Sequence, residues 1–121
     1  MKTYKIFNFK KFKNMSGELL PITFDKKFPI KVKRIFFIYG KKKYKRGDHA
    51  HKKCSQVFYP LFGKAQITIQ FKKNRAMLVP PKTWCDVKFL TKNAIILVLC
   101  DYKYDFNDYI ESYEDFVNNY Q

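Results

Sequence analysis

The sequence predicts one all-β domain that ends in a short helix. Apolar residues recur mostly at every second position or form short continuous runs, and short polar segments separate these stretches. Many short strands at close spacing are typical of a sandwich or barrel. The length of 121 residues and the 46% of hydrophobic residues suit a single core. We therefore expect residues 1–121 to form one domain.

Five stretches have the pattern of a strand. Alternation of apolar and polar residues indicates a strand with one buried face, whereas a continuous apolar run indicates a strand buried on both faces. The alternating stretches are 4–9, 30–39 and 65–71, of which the second becomes continuously apolar, and the continuous runs are 57–62 and 94–100. Polar breaks at 40–47, 72–75 and 80–83 separate them.

One helix is predicted at the end of the chain. Asp108 with Glu111 three residues later fits a capping box, in which the two side chains cap the first helical turn. Apolar and aromatic side chains then recur at helical spacing, which indicates packing against the core. They are Tyr109, Tyr113, Phe116, Val117 and Tyr120. Asp101, Asp105 and Asp108 are accordingly expected to be turn and cap residues and not catalytic carboxylates.

The net charge of +15 is unevenly distributed. Residues 1–100 carry 24 Lys or Arg against four acidic residues, whereas residues 101–121 carry six acidic residues against one Lys. A lysine-rich surface attracts phosphates without selecting a sequence, and Arg, the forked donor suited to reading base edges, occurs only three times. The positive charge therefore fits a ligand that bears phosphates. The alternative is that the excess of Lys reflects only general residue usage and has no role in binding.

The sequence also indicates a cytoplasmic protein. It contains no run of about 18 apolar residues, which a membrane-spanning helix requires, and it begins with alternating Lys and aromatic residues instead of the apolar core of a signal peptide. Cys54, Cys85 and Cys100 are odd in number and lack a CxxC spacing. We therefore expect buried free thiols and neither a disulfide framework nor a zinc knuckle.

The candidate site centres on the only two histidines of the chain, His49 and His51. On a β-strand, residues two apart point to the same face, so both imidazoles can enter one cavity. Arg46 lies close by in the sequence. Two imidazoles in a purely structural core would need several hydrogen-bond partners, so this arrangement favours a functional site.

This segment resembles the first motif of the cupin superfamily, which places two His, an acidic residue and a Gly at similar intervals. The corresponding residues here are His49, His51, Gln56 and Gly63. Residues 80–85 resemble the second motif of that family, which begins with Pro and ends at a third His. The resemblance implies a cupin fold, a double-stranded β-helix or jelly-roll barrel, with a short C-terminal helix.

The departures from the cupin pattern argue against a metal. Metal-binding cupins supply His, His, Glu and His, whereas this chain has Gln56 in place of the carboxylate and Cys85 in place of the last His. An amide oxygen is a poor substitute for a carboxylate as a ligand of a divalent metal. We therefore expect a site without metal or cofactor, and a Cu or Zn site that uses the Cys85 thiolate is the alternative.

A narrower resemblance covers most of the chain. The run RGDHAHKK at 46–53, the segment KRIFFI at 33–38, Trp84 and the segment DYKYDFNDYI at 101–110 are similar to the sugar-nucleotide 3,4-ketoisomerases. These are cupins that act on dTDP-4-keto-6-deoxy-D-glucose. The resemblance implies an isomerase in which His49 and His51 form an acid/base pair and Arg46 supports an oxyanion or positions a phosphate.

The resemblance also assigns a third catalytic group. The family has a tyrosine in the strand that matches residues 34–38, where this chain has Phe36 and Phe37. Tyr39 lies two residues beyond Phe37 and therefore on the same strand face. Tyr39 is the candidate to replace the missing hydroxyl.

The remaining candidates bind the nucleotide sugar. Basic side chains suit its pyrophosphate, and an aromatic ring suits its thymine. We expect substrate contacts from Arg34, Gln56, Lys82, Trp84, Cys85 and Tyr102, with Lys52 and Lys53 as further pyrophosphate candidates. Solvated surface charges are the alternative for Lys52 and Lys53, and core packing is the alternative for Trp84.

The expected partner is a dTDP-linked keto sugar, and we expect neither nucleic acid nor a membrane as a partner. The resemblance implies a homodimer whose N-terminal strands are exchanged or packed between subunits. Two other functions stay open at this point. The missing tyrosine and histidine favour a non-catalytic cupin that binds nucleotide sugars, and the basic, aromatic composition favours a β-barrel that binds single-stranded nucleic acid.

Overall fold

A computed structural model describes residues 5–67, the backbone of 69 and 70, and residues 75–121. In these ranges the chain forms short strands, one 3₁₀ turn at Phe106–Asp108 and one α-helix. The elements are β1 (Lys5–Asn8), β2 (Phe12–Asn14), β3 (Gly17–Leu19), β4 (Arg34–Tyr39), β5 (Lys45–His51), β6 (Gln56–Phe62), β7 (Ala65–Ile67), β8 (Ile69–Gln70), β9 (Arg75–Val79), β10 (Cys85–Phe89), β11 (Ile95–Cys100), β12 (Tyr109–Ile110) and α1 (Tyr113–Asn119).

The strands form two five-stranded antiparallel sheets and a hairpin of β2 and β3. The first sheet has the order β1-β9-β6-β11-β4, and the second has the order β12-β5-β10-β7-β8. Alternate residues of both sheets point towards each other and form one interior cluster, which includes Phe58, Met77, Phe89, Ile96 and Val98. The all-β class with a short C-terminal helix, predicted from the sequence, is confirmed.

The outer face of the first sheet carries a second apolar cluster. Its buried members include Tyr59, Leu97 and Leu99, which lie on the faces of β6 and β11 that point away from the interior. Residues 20–32 run across this face and supply partly buried apolar side chains such as Phe28 and Val32. Both faces of these central strands are therefore buried, which explains why their sequences are continuously apolar.

Some predicted strand boundaries are wrong. The alternating stretch 65–71 is divided into β7 and β8, which pair with each other so that Ile67 lies opposite Ile69. Residues 30–33 precede β4 instead of belonging to it, because Ile30 and Val32 pack on the outer cluster. The predicted break at 40–47 already includes the start of β5 at Lys45. Tyr4, Thr68, Phe71 and residues 72–74 lie outside the described residues.

The predicted start of the C-terminal helix is also wrong. Helix α1 begins at Tyr113, and Ser112 caps it by accepting a hydrogen bond from the backbone N–H of Asp115. Tyr109 and Ile110 form β12 instead and pair with β5. Asp108 is not a cap of α1, because its carboxylate is engaged elsewhere. No helix in the described part of the chain is long and apolar enough to span a membrane.

Candidate active site

A bulge in β5 precedes the two histidines. Gly47 and Asp48 have φ angles of 95° and 53°, and the pairing of β5 with β10 shifts register between Cys85 and Asp86. An extra residue of this kind bends a strand and re-aims the side chains that follow it. After the bulge, His49 lies opposite Cys85 on β10, and His51 lies opposite Tyr109 on β12.

The two imidazoles touch each other and a buried carboxylate. The Nε2 atoms of His49 and His51 are 3.2 Å apart, and Nδ1 of His51 lies 2.9 Å from Oδ2 of Asp108. His51 is 6% exposed and Asp108 is 5% exposed, whereas His49 is only partly buried. The three side chains therefore form a line from the interior outwards.

The hydrogen bonds of Asp108 determine which nitrogen of His51 carries a proton. The carboxylate also accepts the backbone N–H groups of Lys53 at 2.7 Å and Cys54 at 3.3 Å, so it acts only as an acceptor. His51 must then donate through Nδ1–H, which leaves a lone pair on Nε2 of the neutral ring. In this state His49 donates its Nε2–H to His51.

Burial keeps His51 neutral. Desolvation lowers the pKa of His51 below its ordinary value, and the charge of His49 acts in the same direction, while the hydrogen bond to Asp108 opposes them. A pKa below the ordinary value of about 6.5 means that the imidazole is unprotonated at neutral pH. His51 is therefore able to accept a proton.

A cavity of about 510 Å³ opens between the two sheets beside His49. Five of the residues predicted from the sequence lie in its wall. They are Tyr39, Arg46, His49, Gln56 and Cys85. The other predicted site residues, His51, Arg34, Lys82, Trp84 and Tyr102, lie outside this wall.

Strand β4 presents its residues to opposite faces. Phe36 and Ile38 pack against the interior cluster, whereas Phe37 and Tyr39 lie on the other face and are 49% and 73% exposed. Tyr39 thus borders the cavity with a side chain that is mostly in solvent. The interior face of β4 carries no hydroxyl group.

Trp84, Lys82 and Tyr102 have partners elsewhere in the fold. The Trp84 ring contacts those of Tyr113 and Phe116, at centroid distances of 5.1 and 5.6 Å, so core packing accounts for its environment. Lys82 lies in the turn before β10 and donates its backbone N–H to the carbonyl of His51 at 2.6 Å. Tyr102 packs against the interior cluster.

Arg34 points its guanidinium into the protein. Its Nη2 lies 3.7 Å from Sγ of Cys100, and the group stacks over the rings of Phe36 and Tyr104 at 5.2 and 5.7 Å. Hydrogen bonds from the thiol of Cys54, from Gln56 and from Arg34 lower the pKa of Cys100 to about 7 against the effect of burial. The cation therefore has a sulfur with thiolate character as its neighbour.

The donors present do not favour a metal. Burial raises the pKa of Cys85 to about 12, so its thiol is protonated and is a poor ligand. Among the described residues, His51, Cys54 and Asp108 have potential ligand atoms within 4.8 Å of one another. A metal there would have to replace the hydrogen bond between His51 and Asp108, and the thiol of Cys54 has a raised pKa because it donates to Cys100. We assign no step to a metal.

Two residues of the site were missed in the sequence. Asp108 was expected to be a cap, yet it orients His51. The sequence pattern predicts Tyr109 on the apolar face of the C-terminal helix, yet this residue lines the cavity. The centroid of its ring lies 4.9 Å from that of His49 and 4.4 Å from that of His51. The one sequence signal for both was the segment 101–110, which carries part of the resemblance.

Comparison with known proteins agrees with this geometry. The model of the family described as FdtA, WxcM-like, C-terminal matches residues 2–121. The TDP-4-oxo-6-deoxy-alpha-D-glucose-3,4-oxoisomerase of Aneurinibacillus thermoaerophilus is 30% identical over 123 residues, which cover 93% of this chain and 88% of that protein.

Solved structures with the same fold include two 3,4-ketoisomerases. The enzyme from Helicobacter canadensis superposes with a TM-score of 0.86 at 29% identity and covers 95% of each chain. QdtA from Thermoanaerobacterium thermosaccharolyticum, in complex with TDP, superposes with a TM-score of 0.87 at 26% identity, over 97% of this chain and 93% of that chain.

The hydrogen bond between Asp108 and His51 predicts that the pKa of His51 changes when the carboxylate is removed. Removing the carboxylate in Asp108→Asn takes away the group that raises the pKa of His51, so this pKa should fall further below that of the unmodified protein. NMR of ¹⁵N-labelled imidazoles measures the pKa and the tautomer. An unchanged or higher pKa of His51 in Asp108→Asn would contradict the assignment.

Proposed function

The chain belongs to the FdtA, WxcM-like C-terminal family, and on this basis we propose that it is a sugar-nucleotide 3,4-ketoisomerase. It converts dTDP-4-keto-6-deoxy-D-glucose into a dTDP-3-keto-6-deoxyhexose, as part of deoxysugar biosynthesis. The observation that carries the proposal is the pair of imidazoles, ordered by Asp108, at a cavity between the sheets. The relatives named above are a 3,4-oxoisomerase and 3,4-ketoisomerases, which supports the proposed activity.

The reaction requires only proton transfers. A base removes the proton from C3, an enediol or enediolate forms across C3 and C4, and a proton returns to C4, while the two oxygens exchange their roles. His49 and His51 act as the acid/base pair. Nε2 of His51 accepts the hydrogen bond of His49, which leaves a lone pair on Nδ1 of His49, the imidazole that lines the cavity. The conversion is redox-neutral overall, so no cofactor is needed.

Fixed polar groups assist the two histidines. Arg46 lies in the cavity wall, where a permanent cation stabilises a developing enediolate oxygen or holds a phosphate. Gln56 also lies in the wall, and its amide Nε2 donates to Sγ of Cys100 at 3.6 Å, which orients its oxygen. Contacts of the nucleotide with Arg34, Lys82, Trp84 and Tyr102 stay predictions.

The cysteines support a cytoplasmic location. Cys54, Cys85 and Cys100 are all free thiols, of which Cys54 and Cys100 are buried and Cys85 is partly buried. Free thiols are typical of reducing compartments, whereas secreted proteins of this size are commonly cross-linked by disulfides. We therefore place the enzyme in the cytoplasm.

Proton exchange at C3 tests the proposed activity. In deuterated buffer, the enzyme should replace the C3 proton of dTDP-4-keto-6-deoxy-D-glucose by deuterium and form the 3-keto product, both of which ¹H NMR detects. His49→Asn and His51→Asn should each lower the rate by about 10² to 10⁴, the range typical of general acid/base groups. Circular dichroism and TDP affinity serve as controls for folding.

Two outcomes would contradict this account. Binding of the nucleotide sugar without exchange at C3 would identify a non-catalytic binding protein. Full activity in both histidine variants would disprove the acid/base assignment. Salt-sensitive binding of single-stranded nucleic acid, with no binding of TDP, would instead favour the nucleic-acid alternative.

We also propose a homodimer that forms through β4. This strand is an edge of the first sheet, and its outer face carries Ile35, Phe37 and Tyr39, which are 49%, 49% and 73% exposed. Among the described residues no further strand pairs with this edge of β4, and such an apolar row on a strand edge is suited to pairing with a second copy. The N-terminal strand β1 pairs with β9 of the same chain, at the opposite edge of that sheet.

A charge on this row should separate the dimer. Ile35→Lys places an ammonium group in the proposed interface, and we expect a monomer by light scattering coupled to size-exclusion chromatography. Val117→Lys, an exposed apolar position on α1, is the matched control and should stay dimeric. A dimer that persists in Ile35→Lys, or a monomeric unmodified protein, would contradict an interface at β4.

A further inference from the structure

The proposed reaction needs a group that moves protons between the two oxygens of the sugar. Among the described residues of the cavity wall, few side chains besides His49 are suited to this role. The thiol of Cys85 donates to the backbone carbonyl of Asp86 at 3.9 Å, and Gln56 is a neutral amide. The two phenols in the wall belong to Tyr39, which is mostly in solvent, and Tyr109.

Tyr109 is held against both imidazoles. It lies in β12 with its Cα paired with that of His51, and its ring is tilted by 49° to the ring of His49 and by 57° to that of His51. The centroid distances of 4.9 and 4.4 Å are ordinary contact distances between rings. A sugar that lies against His49 in the cavity therefore also has the side chain of Tyr109 as a neighbour.

Arg34 acts electrostatically on the phenol of Tyr109. Burial disfavours the phenolate and has the larger effect, while the positive charge of the neighbouring guanidinium favours it. The net result is a raised pKa of Tyr109, so the phenol is protonated at neutral pH. In addition, Nε of Arg34 is buried without a hydrogen-bond partner among the described residues. Nη2 of Arg34 donates to Sγ of Cys100, and the guanidinium keeps its positive charge beside Tyr109, where it stabilises transient negative charge on the phenol oxygen.

We propose that Tyr109 is a catalytic residue of this site, whose phenol carries protons between O4 and O3 of the keto sugar. The proposal rests on the proposed ketoisomerase function. The catalytic hydroxyl group then lies on β12, next to Asp108 in the chain. It does not lie on β4, which has Phe36 and Phe37 at the positions expected for a tyrosine.

The proton balance closes over one cycle. As an imidazole removes the proton from C3, the C3–C4 double bond forms and the phenol of Tyr109 gives its proton to O4, which yields the enediol. The resulting phenolate is paired with Arg34. It then takes the proton from the hydroxyl on O3 as the C3 carbonyl forms and the imidazolium returns a proton to C4. Both the tyrosine and the histidine are restored, and no oxidant or reductant is consumed.

A packing role makes a different prediction. The ring of Tyr109 also contacts those of Tyr104 and Phe106, at 6.0 and 6.3 Å, and phenylalanine would keep all of these ring contacts. If only the ring mattered, Tyr109→Phe would be close to neutral. The two roles are therefore separated by the loss of a single oxygen atom.

The test compares Tyr109→Phe with Tyr113→Phe. Tyr113 packs on Trp84 beside α1, outside the cavity wall, and is a matched control for the loss of a phenol oxygen. For Tyr109→Phe we expect kcat to fall by about 10² to 10⁴, with KM and TDP affinity within about threefold of the unmodified enzyme. A kcat within about threefold of the unmodified enzyme would overturn the proposal.

A second measurement does not depend on turnover. With tyrosine labelled by ¹³C at Cζ, the signal that disappears in Tyr109→Phe identifies Tyr109. This signal should shift when dTDP-4-keto-6-deoxy-D-glucose is added, and not when TDP alone is added. A shift in a protein that shows no exchange at C3 would refute the ketoisomerase function while supporting the contact of Tyr109 with the sugar. The absence of a sugar-dependent shift would overturn the role of Tyr109, whether or not turnover occurs.

Discussion

The buried carboxylate of Asp108 is the constraint on which the site depends. A charged group that is 5% exposed must be compensated, and three N–H donors do so, from the ring of His51 and from the backbone of Lys53 and Cys54. These bonds fix the turn that follows β5 to the 3₁₀ turn that precedes β12. They also keep a proton on Nδ1 of His51. The contacts that compensate the buried charge of Asp108 therefore also hold His51 in the tautomer that the proposed reaction uses.

The fold brings the middle of the chain to this carboxylate near its C-terminal end. The bulge at Gly47 and Asp48 re-aims β5, and β12 returns to pair with it after the chain has formed most of both sheets. Because Asp108 and Tyr109 are consecutive, one short segment supplies both a carboxylate and an aromatic ring to His51. The proposed proton path thus depends on Asp108 in the 3₁₀ turn and on Tyr109 in β12 as much as on the two histidines.

Local patterns were sufficient to predict part of this arrangement. Apolar alternation gave the all-β class, and the spacing of His49 and His51 on one strand gave the site. The segment around Tyr109 was misread, because its apolar residues also fit a helical period and Asp108 with Glu111 resembles a capping box. The pairing of β12 with β5 decides between these structures, and this long-range contact has no local signature. The inward orientation of Arg34 likewise depends on Cys100, 66 residues away.

The most direct test of the account is the rate of proton exchange at C3 in Asp108→Asn. Asparagine keeps the shape of the side chain but removes the charge that orients His51, and Asp105→Asn, which alters only the cap of the 3₁₀ turn, is the matched control. We expect Asp108→Asn to exchange about 10² to 10⁴ times more slowly, with TDP affinity unchanged, as for other histidines that lose their orienting carboxylate. A rate within about threefold of the unmodified enzyme would contradict the central role of Asp108.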